Sequence, residues 1–459
     1  MKELTLKQIA DWCGGTVAPE YETVPVTGVE SDSRKVEVGD LFVALRGERV
    51  DGHDFIPSAK TLGAAAALVS RPSEELPCVV VESPLRAYGE IAKHYREMTG
   101  VKVVGITGSV GKTTTKEMIA SVLSRDFKLY KSEGNHNNEI GLPMTVMNMP
   151  EDTELLVAEM GTNHPGEIAY LSAIAQPDYA VITNIGIAHI EYLGSREGIL
   201  REKLDILRSS LKNTVGIFNG DEPLLWNVRD KGTHKKYYFG IDNPSCDVVA
   251  SGIQELDDGM RFHVSGFHHE FELFVPALGR HMVYNALAAA TVGLAMGVKP
   301  ETIQNELSIF RNTGMRQKIY EKNGMTIIED CYNAGPESTE AALGVLASVK
   351  TSGKRIAVLG DMLELGNRSS AEHYRIGRIA AQKADLLLTY GAHSVRTVTG
   401  AITGGMPPKH AEHFDTHEDL ARVLKMRAGE GDVILFKGSR GMKMERSLQL
   451  FLDDTDSAK

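Results

Sequence analysis

The sequence predicts an α/β fold in three domains, and three observations support this prediction. The chain has 459 residues, which is too long for one ordinary hydrophobic core and corresponds to about three domains of typical size. From Val101 onward, short β-rich runs alternate with helix-like segments, as in a parallel sheet with crossover helices. Beyond about Gly314 the same alternation starts again. We therefore place the domains at residues 1–99, 100–314 and 315–459.

The first two domains differ in the pattern of their predicted strands. In the first domain, "GDLFVALRG" and "PCVVVES" are interrupted by Gly, Asp and Pro turns, which predicts a small α/β unit. In the central domain, "VKVVGIT", "LLVAEMG" and "YAVITNIG" are expected in a parallel sheet. The later "FHVSGFHHEFELFVP" alternates between apolar and polar residues and predicts an antiparallel patch.

The last domain is predicted to be smaller, doubly wound and Rossmann-like. Its expected strands are "KRIAVLG", "ADLLLTYG" and "DVILFKGS", separated by helical patterns such as "SAEHYRIGRIAAQK". This domain contains no GxGxxG pattern, so we expect no dinucleotide site there.

Composition indicates a globular enzyme and argues against several kinds of partner. Hydrophobic residues make up 42% and charged residues 24% of the chain, and the net charge is −11, so no nucleic-acid or anionic-membrane partner is expected. The N-terminus has no apolar signal core and "LGAAAALV" is too short to span a membrane, which predicts a cytoplasmic protein. The four cysteines form no CxxC pair, so neither a disulfide framework nor a zinc site is expected.

The segment "GVKVVGITGSVGKTTTKEMIASVL" predicts a strand, a glycine loop and a helix that together bind a polyphosphate. Backbone N–H groups and the helix N-terminus would surround the phosphate oxygens, Lys112 would neutralise the β and γ phosphates, and Thr113 would offer its hydroxyl to Mg²⁺. Because Ile106 stands at the first position of GxxxxGK[ST], the match is the shorter "TGSVGKTT". The alternative is a chance Gly-Lys-Thr, and the flanking strand and amphipathic helix favour the phosphate site. The predicted loop residues are Thr107, Gly108, Ser109, Val110, Gly111, Lys112, Thr113 and Thr114.

Two further residues follow predicted strand ends, where ligands gather in open α/β sheets. Glu159 ends the strand in "ELLVAE", and His189 follows the strand in "YAVITNIG". Glu159 could equally be a strand-terminal carboxylate in solvent, and His189 an ordinary polar loop residue. The residues alone leave both alternatives open.

A set of motifs then carries a family resemblance over essentially the whole chain. In order and approximate spacing, "TGSVGKTTT", "EMGTNHPGEI", "TNIGIAHIEYLGSREGILREK", "GRHMVYNALAA" and "DCYNAGPEST" resemble the Mur ligases, the ATP-dependent amide-forming enzymes of peptidoglycan precursor synthesis. "GNHNNEIGLP" and "AVLGDMLELG" are most similar to the family member that adds D-Ala-D-Ala to UDP-MurNAc-tripeptide. "SDSRKVEVGDLFVALRGERVDGHDFI" resembles the uridine-nucleotide-binding domain of the two later ligases of the pathway.

The resemblance implies a reaction and its participants. The terminal carboxylate of the UDP-linked peptide would attack the γ-phosphate of ATP, and the amine of D-Ala-D-Ala would displace phosphate from the resulting acyl phosphate. The products would be UDP-MurNAc-pentapeptide, ADP and phosphate. Because both reacting partners are anionic, catalysis would consist mostly of positioning and charge screening. The implied cofactors are ATP and two Mg²⁺ ions, and a monomer is expected.

The resemblance also assigns catalytic and metal-binding roles. Thr113 and Glu159 would hold one Mg²⁺, while His189 and a carbamylated Lys203 would lie around a second, with Lys112 on the phosphates. From the residues alone, Lys203 in "REGILREKLDIL" would ordinarily be a solvated surface charge beside an apolar helix face.

Further residues are implied at the ends of the two nucleotide ligands. His281 and Asn285 correspond to adenine-side residues, with Met282 where relatives commonly have Asn, and Arg316 would reach the phosphates. Asp330, Tyr332 and Asn333 would line the nucleotide from the last domain, in which Gly335 replaces the usual Asn of "YNANP". For the UDP substrate the candidates are Ser33, Arg34, Gly47, Asp51, His53, Asn135, Asn137 and Asn138.

Several of these candidates could instead have purely structural roles. "DSR" and "DGH" could be ordinary polar turns, and one of the three asparagines could cap a helix.

Lys437, Ser439 and Arg440 end a strand on the expected entry side for the dipeptide. A phosphate-releasing switch and a nucleotide-sugar-binding regulator are the other function classes, and neither accounts for all the motifs.

Overall fold

The computed structural model describes residues 1–47, 49–208 and 213–453. In this part of the chain the strands form three larger sheets and one two-stranded ribbon, and each sheet is built from one continuous part of the sequence. The predicted α/β fold, with three sheet-containing parts, is confirmed. The domain boundaries stay a prediction, and residues 454–459 at the end of the third domain lie outside the described residues.

The first part contains a parallel sheet in which the strand order is β3-β4-β5-β6. Every residue of β4 and β5 is buried, which explains why these strands appear as continuous apolar runs. The strands are β1 (Leu4–Thr5), β2 (Pro25–Val26), β3 (Gly28–Glu30), β4 (Asp40–Val43), β5 (Ala66–Val69) and β6 (Cys78–Val80). The helices are α1 (Leu6–Cys13), α2 (Ile56–Leu62) and α3 (Pro84–Thr99).

The central part contains nine strands in the order β15-β14-β13-β12-β11-β10-β7-β9-β8. Its strands are β7 (Lys102–Thr107), β8 (Leu129–Lys131), β9 (Leu155–Glu159), β10 (Tyr179–Ile182), β11 (Val215–Asn219), β12 (Lys236–Gly240), β13 (Val248–Leu256), β14 (Gly259–Gly266) and β15 (His269–Val275). Strands β7 to β13 pair in parallel, whereas β13, β14 and β15 pair antiparallel, as the alternating pattern predicts. Because β9 and β10 flank β7, the loops after these three strands meet at one sheet edge.

The helices of the central part cover this sheet and extend its loops. They are α4 (Lys112–Leu123), α5 (Gly141–Met147), α6 (Glu167–Ala175), α7 (Ile190–Leu193), α8 (Arg196–Leu204), α9 (Pro223–Trp226), α10 (Arg280–Ala295) and α11 (Pro300–Ser308). Helix α4 packs against α10 beneath the phosphate loop, and its apolar residues Met118, Ile119, Val122 and Leu123 are buried, as expected for the predicted amphipathic helix.

The third part contains a sheet in the order β16-β17-β21-β18-β19-β20, parallel except for β16. Strand β21 returns between β17 and β18, so the loops after these three strands form a crevice of the kind that binds ligands in doubly wound folds. The strands are β16 (Lys318–Lys322), β17 (Met325–Asp330), β18 (Arg355–Gly360), β19 (Leu386–Tyr390), β20 (Ala411–Phe414) and β21 (Val433–Lys437). The helices are α12 (Pro336–Ser348), α13 (Ser369–Lys383), α14 (Val395–Thr403), α15 (His417–Arg427) and α16 (Met444–Leu452).

The three parts are in contact with one another. One apolar cluster includes buried residues from all three, and α3 of the first part packs on α5 and α6 of the central part. The third part contacts the central part through Gln317, whose Nε2 donates to Leu278 O at 2.7 Å, and through the ion pair of Lys350 with Asp257 at 2.8 Å. Within the described residues, no helix combines the length and apolar character needed to cross a membrane.

Candidate active site

A cavity of about 1130 Å³ lies where the three parts of the chain meet. The central part contributes the loops after β7, β9 and β10, and the third part contributes the loops after β17, β18 and β21. The first part contributes Arg86, on α3, to the cavity wall. The loops at the carboxyl ends of the strands in two separate sheets therefore line the same cavity.

The phosphate loop forms one wall of this cavity. Gly111, in the left-handed region with φ of 82°, is the N-cap of α4, so the first-turn N–H groups of the helix are directed to the loop. A Cβ at Gly111 would lie 2.8 Å from Oδ1 of Asn285, which requires glycine at this close approach. Nζ of Lys112 donates to Gly108 O at 2.8 Å. Burial lowers the pKa of Lys112, Glu159 acts in the opposite direction, and Arg316 lowers the pKa further.

The predicted loop residues do not all reach the cavity. Ser109 through Thr114 line it, whereas Thr107 is fully buried at the end of β7 and its hydroxyl has no hydrogen-bond partner among the described residues. Gly108 does not line the cavity either and packs closely against Thr183. The loop is fixed by Asn184, whose Oδ1 accepts from Val110 N at 3.0 Å, a contact that the sequence did not reveal.

Glu159 is a buried ligand candidate and not a solvated strand end. It is 2% exposed and accepts hydrogen bonds from Thr113 Oγ1 at 2.7 Å and Asn137 Nδ2 at 2.8 Å. A hydroxyl and a carboxylate side by side at a phosphate loop fit Mg²⁺, which prefers oxygen ligands and commonly keeps waters and substrate phosphates in its coordination shell. No group of three or more His, Cys, Asp or Glu side chains that could hold a metal occurs in the part of the chain that the structure describes. A metal at Glu159 would therefore depend on the hydroxyl and on the phosphates.

His189 lines the same cavity at the start of α7. Its backbone is left-handed with φ of 60°, and its Nδ1 lies 2.5 Å from Oε2 of Glu364 in the third part. The imidazole beside it lowers the pKa of the Glu364 carboxyl.

Lys203 occupies a different environment from the solvated helix face that its sequence pattern ordinarily indicates. It lies on α8, is 2% exposed, and is not part of the cavity wall. Burial holds the pKa of Lys203 well below its usual value, Lys112 lowers it further, and Glu202 opposes the shift. The helix face that carries Lys203 is covered by the rest of the central part, which periodicity alone did not indicate.

The adenine-side candidates lie beside the loop on α10. His281 and Asn285 both line the cavity, and Asn285 Oδ1 accepts from Thr115 Oγ1 at 3.2 Å. Burial lowers the pKa of His281, while Asp330 and a hydrogen bond to Gln317 act in the opposite direction. Met282 is 2% exposed and also lines the cavity.

The third part supplies the opposite wall. The guanidinium of Arg316 lies over the ring of Tyr332, 3.9 Å from its centroid. Nζ of Lys437 donates to Asp330 Oδ2 at 2.6 Å and to Asn333 O at 3.0 Å. These candidates all line the cavity, together with Ser439, Arg440 and Gly335.

The structure leaves the first-part candidates away from the cavity. Arg34 has an 86% exposed side chain that pairs with Asp32 at 2.7 Å. Asp51 contacts His53 Nδ1 at 2.7 Å and Arg71 at 3.1 Å. None of the five, Ser33, Arg34, Gly47, Asp51 and His53, is in the cavity wall, and their role in binding UDP stays a prediction.

The three asparagines after β8 all line the cavity but differ in their contacts. Asn137 holds Glu159, as described above. Asn138 Oδ1 accepts from Ile140 N at 3.2 Å and from Gly141 N at 2.9 Å, so it satisfies the first N–H group of α5. The backbone carbonyl of Asn135 accepts from Asn137 N at 2.7 Å.

Sequence reasoning missed several residues of the cavity wall. Arg86 lies over the ring of Tyr170, 4.4 Å from its centroid, and Glu337 Oε1 accepts from Ile187 N at 2.9 Å. No local pattern identifies these residues, because each acts across a boundary between parts of the chain. Other wall residues without a prediction are Asn163, Glu167, Asn184, Asn219, Asp221, Glu222, Tyr284, Gln317 and Glu364.

The assembled site combines an anion-binding loop, buried oxygen ligands and cations from two sheets. Such a site can hold a nucleoside triphosphate, neutralise its phosphates and align a second anionic reactant.

Comparisons with known proteins agree with this arrangement. Three family models match the chain: the Mur ligase family, catalytic domain, at residues 25–108; the Mur ligase middle domain at 106–293; and the Mur ligase, glutamate ligase domain, at 315–440. The UDP-N-acetylmuramoyl-tripeptide–D-alanyl-D-alanine ligase of Bacillus subtilis is 43% identical over 457 residues, covering 97% of each chain.

Solved structures are similar over nearly the whole length. A crystal structure of MurF from Acinetobacter baumannii has a TM-score of 0.90 at 32% identity and covers 98% of this chain and 99% of its own. MurF ligase from Thermotoga maritima in complex with ADP has a TM-score of 0.82 at 31% identity, covering 93% and 97%. With its phosphate loop, three-part architecture and full-length similarity, the chain belongs to the Mur ligase family.

Proposed function

We propose that this chain is the ligase that adds D-alanyl-D-alanine to UDP-N-acetylmuramoyl-tripeptide at the expense of ATP. The observation that carries the proposal is the single cavity in which the phosphate loop faces cationic residues of the third part. The similarity to ligases of this specificity, over 97% of both chains, supports the choice of substrates.

The reaction proceeds in two transfers. A carboxylate oxygen of the tripeptide forms a bond to the γ-phosphorus of ATP as the bond to the ADP oxygen breaks, which gives an acyl phosphate. The amine of D-Ala-D-Ala then attacks the acyl carbon, phosphate leaves, and the nitrogen loses a proton. The chain holds the phosphates with Lys112 and the loop N–H groups, and Arg316 approaches them from the third part. These groups screen the repulsion between the two anions.

Thr113 and Glu159 are the residues that would hold Mg²⁺ at the phosphate loop. When bound, the ion would neutralise charge on the β and γ phosphates. Asn137 fixes the orientation of Glu159 through its 2.8 Å hydrogen bond. Replacement of Glu159 by Gln should therefore raise the Mg²⁺ requirement while Asn137 keeps the side chain in place.

Lys203 is proposed to be carbamylated and to lie, with His189, around a second Mg²⁺. Its neutral amine would add to CO₂ with the formation of one N–C bond and the release of one proton, which converts a neutral side chain into an anionic carbamate. Burial and the neighbouring Lys112 both favour the neutral amine and so support this assignment. An unmodified, neutral lysine in the same position would bring no charge that attracts a metal.

The carbamate is tested by ¹³C NMR of the full-length protein equilibrated with ¹³C-bicarbonate. A carbamate resonance should be present in the wild type, absent in Lys203→Ala, and retained in Lys116→Met, because Lys116 is equally buried but donates to Ser132 O at 2.6 Å. Turnover of Lys203→Ala should be crippled and partly restored by short carboxylates. A wild-type spectrum without the resonance, together with near-normal activity of the variant, would refute the assignment.

The uridine end of the substrate is assigned to the first part. Ser33, Arg34, Gly47, Asp51 and His53 are the proposed contacts, with the exposed Arg34 guanidinium on a phosphate. Arg34→Ala should raise the KM for the UDP substrate and leave the KM for ATP unchanged.

We further propose that the protein is a monomer and acts in the cytoplasm. Sedimentation velocity tests the oligomeric state, and cell fractionation tests the localisation.

Substrate-dependent phosphate release tests the proposed activity as a whole. Release should require both UDP-MurNAc-tripeptide and D-Ala-D-Ala, because each transfer needs its own acceptor. Phosphate release in the absence of both compounds would instead identify a switch or motor.

A further inference from the structure

Two non-glycine residues with unfavourable backbone conformations face each other across the cavity. His189 in the central part has φ of 60°, and Glu364 in the third part has φ of 62°. Non-glycine residues seldom adopt this left-handed region, although histidine does so more often than most, and such conformations concentrate at functional sites. His189 Nδ1 and Glu364 Oε2 are only 2.5 Å apart, so the two side chains are directed to each other.

The Glu364 carboxylate lies beside a nitrogen that lacks a hydrogen bond. Nδ1 of His189 is buried and has no hydrogen-bond partner among the described residues, so the adjacent carboxylate is the acceptor placed to satisfy it. A carboxylate accepts but does not donate, so Glu364 favours the tautomer in which Nδ1 carries the proton and Nε2 keeps its lone pair. Metal-binding histidines typically have this arrangement, with a carboxylate on the nitrogen that does not bind the metal.

The loop that carries Glu364 is firmly held. Leu363 N donates to Ser439 Oγ at 2.9 Å, and Met362 N donates to His373 Nε2 at 3.0 Å. At the other end of the loop, a Cβ at Gly366 would lie 3.3 Å from the side chain of Glu191, in the same central segment as His189. The carboxylate therefore lies at a built contact and not at the end of a free loop.

We propose that Glu364 is a positioning residue that orients His189 for metal binding, so that the third part completes a site located in the central part. The inference rests on the proposed role of His189 at the second Mg²⁺. Under this arrangement His189 has its correct tautomer and ring orientation only while the third part is in contact. Metal binding and the approach of the third part then favour each other.

The chain offers a matched control for this inference. Glu337 also reaches from the third part to the same central segment, but its Oε1 accepts from the backbone N–H of Ile187 at 2.9 Å and not from an imidazole. A variant of Glu337 weakens the contact between the two parts without touching the histidine. Comparison of the two positions separates orientation of His189 from simple attachment of the third part.

The test uses Mn²⁺ as a paramagnetic probe in the full-length protein with ADP. Electron spin-echo modulation from an imidazole nitrogen reports whether Mn²⁺ is bound by histidine, and titration gives its affinity. We expect Glu364→Ala to lower the Mn²⁺ affinity about 10- to 100-fold and to weaken the modulation. Glu364→Gln, whose amide oxygen can still accept, should fall between Glu364→Ala and the wild type, and Glu337→Ala, which removes the acceptor for Ile187 N, should match the wild type.

The outcomes separate the inference from the function on which it rests. If His189→Ala removes the modulation but Glu364→Ala changes neither affinity nor modulation, the positioning role is wrong and the metal assignment stands. If His189→Ala keeps the modulation, the metal assignment of His189 fails and the inference fails with it. Equal losses in Glu364→Ala and Glu337→Ala would overturn the inference in favour of a nonspecific contact. Thermal unfolding of each variant confirms that it is folded, as expected for Glu364, whose side chain is 40% exposed.

Discussion

Replacement of Glu202 by Ala should destabilise the central part far more than loss of an ordinary surface charge. Glu202 is 5% exposed on α8, next to Lys203. Its carboxylate accepts from Gly166 N at 2.7 Å, Ile168 N at 2.8 Å and Thr162 Oγ1 at 3.2 Å. Gly166 and Ile168 lie at the start of α6, and Thr162 lies in the loop after β9, so one buried side chain on α8 caps another helix and anchors this loop.

The magnitude follows from the groups that would be left without an acceptor. A hydrogen bond to a charged group contributes about 1.5–3 kcal/mol, and a buried donor without a partner costs about 1–3 kcal/mol. Because the three hydrogen bonds share one carboxylate, their contributions are not additive. We therefore expect a loss of about 3–5 kcal/mol, less than the sum of the three separate contributions. This is a large fraction of a total stability of about 5–15 kcal/mol.

Urea unfolding followed by tryptophan fluorescence measures this loss. The chain has two tryptophans, Trp12 and Trp226, so a Trp12→Phe background leaves a probe in the central part only. Glu197→Ala is the matched control, because Glu197 is an exposed carboxylate on the same helix and surface substitutions usually change stability by about 0.5 kcal/mol or less. If Glu202→Ala lowers the unfolding free energy no more than Glu197→Ala does, the carboxylate does not anchor the loop and the reasoning fails.

Three further predictions follow from the site and its surroundings. Lys112→Ala should abolish phosphate release while calorimetric binding of the UDP substrate stays unchanged; loss of both would indicate misfolding. Gly111→Ala should cost about 1–2 kcal/mol for a left-handed residue and raise the KM for ATP, since its Cβ would displace Asn285; an unchanged KM contradicts this. Burial lowers the pKa of His373 from its usual value of 6.5. Below about pH 6.5 the unfolded chain therefore binds a proton that the folded chain does not, and the free energy of unfolding decreases as the pH is lowered. His373→Gln should reduce that slope of the urea-derived free energy, by at most about 1.4 kcal/mol per pH unit; an identical slope would exclude His373 as the cause.

The fold could be predicted because its strands and turns carry local signals. Buried parallel strands such as β9 and β18 appear as short continuous apolar runs, and the phosphate loop follows directly from the strand–glycine–helix order around Gly111. The antiparallel β14 and β15 alternate in polarity because one face is buried and the other exposed. Each of these signals depends only on neighbours in the sequence.

The candidate site could be predicted only where its residues belong to such local motifs. Glu159 ends β9, and Thr113 lies in the first turn of α4, which follows the adjacent strand β7, so their proximity follows from parallel strand pairing. Arg86 and Glu364 enter the cavity through packing between separate parts of the chain, which no local pattern encodes. Lys203 was named by family resemblance, whereas its burial depends on packing that covers the polar side of α8.

The phosphate loop is electrostatically prepared for an anion. Burial and Arg316 both lower the pKa of Lys112, so the fold disfavours the charged lysine that phosphate binding uses. A bound triphosphate reverses the balance, because an opposite charge at close range favours the ammonium form. By linkage, nucleotide binding would raise the pKa of Lys112, and protonation of Lys112 would in turn strengthen nucleotide binding. Arg316 disfavours a second cation beside it, and under the proposed function it would also attract the phosphates once the nucleotide is bound. The loop and the third part would then cooperate through the nucleotide and not through direct attraction between Lys112 and Arg316.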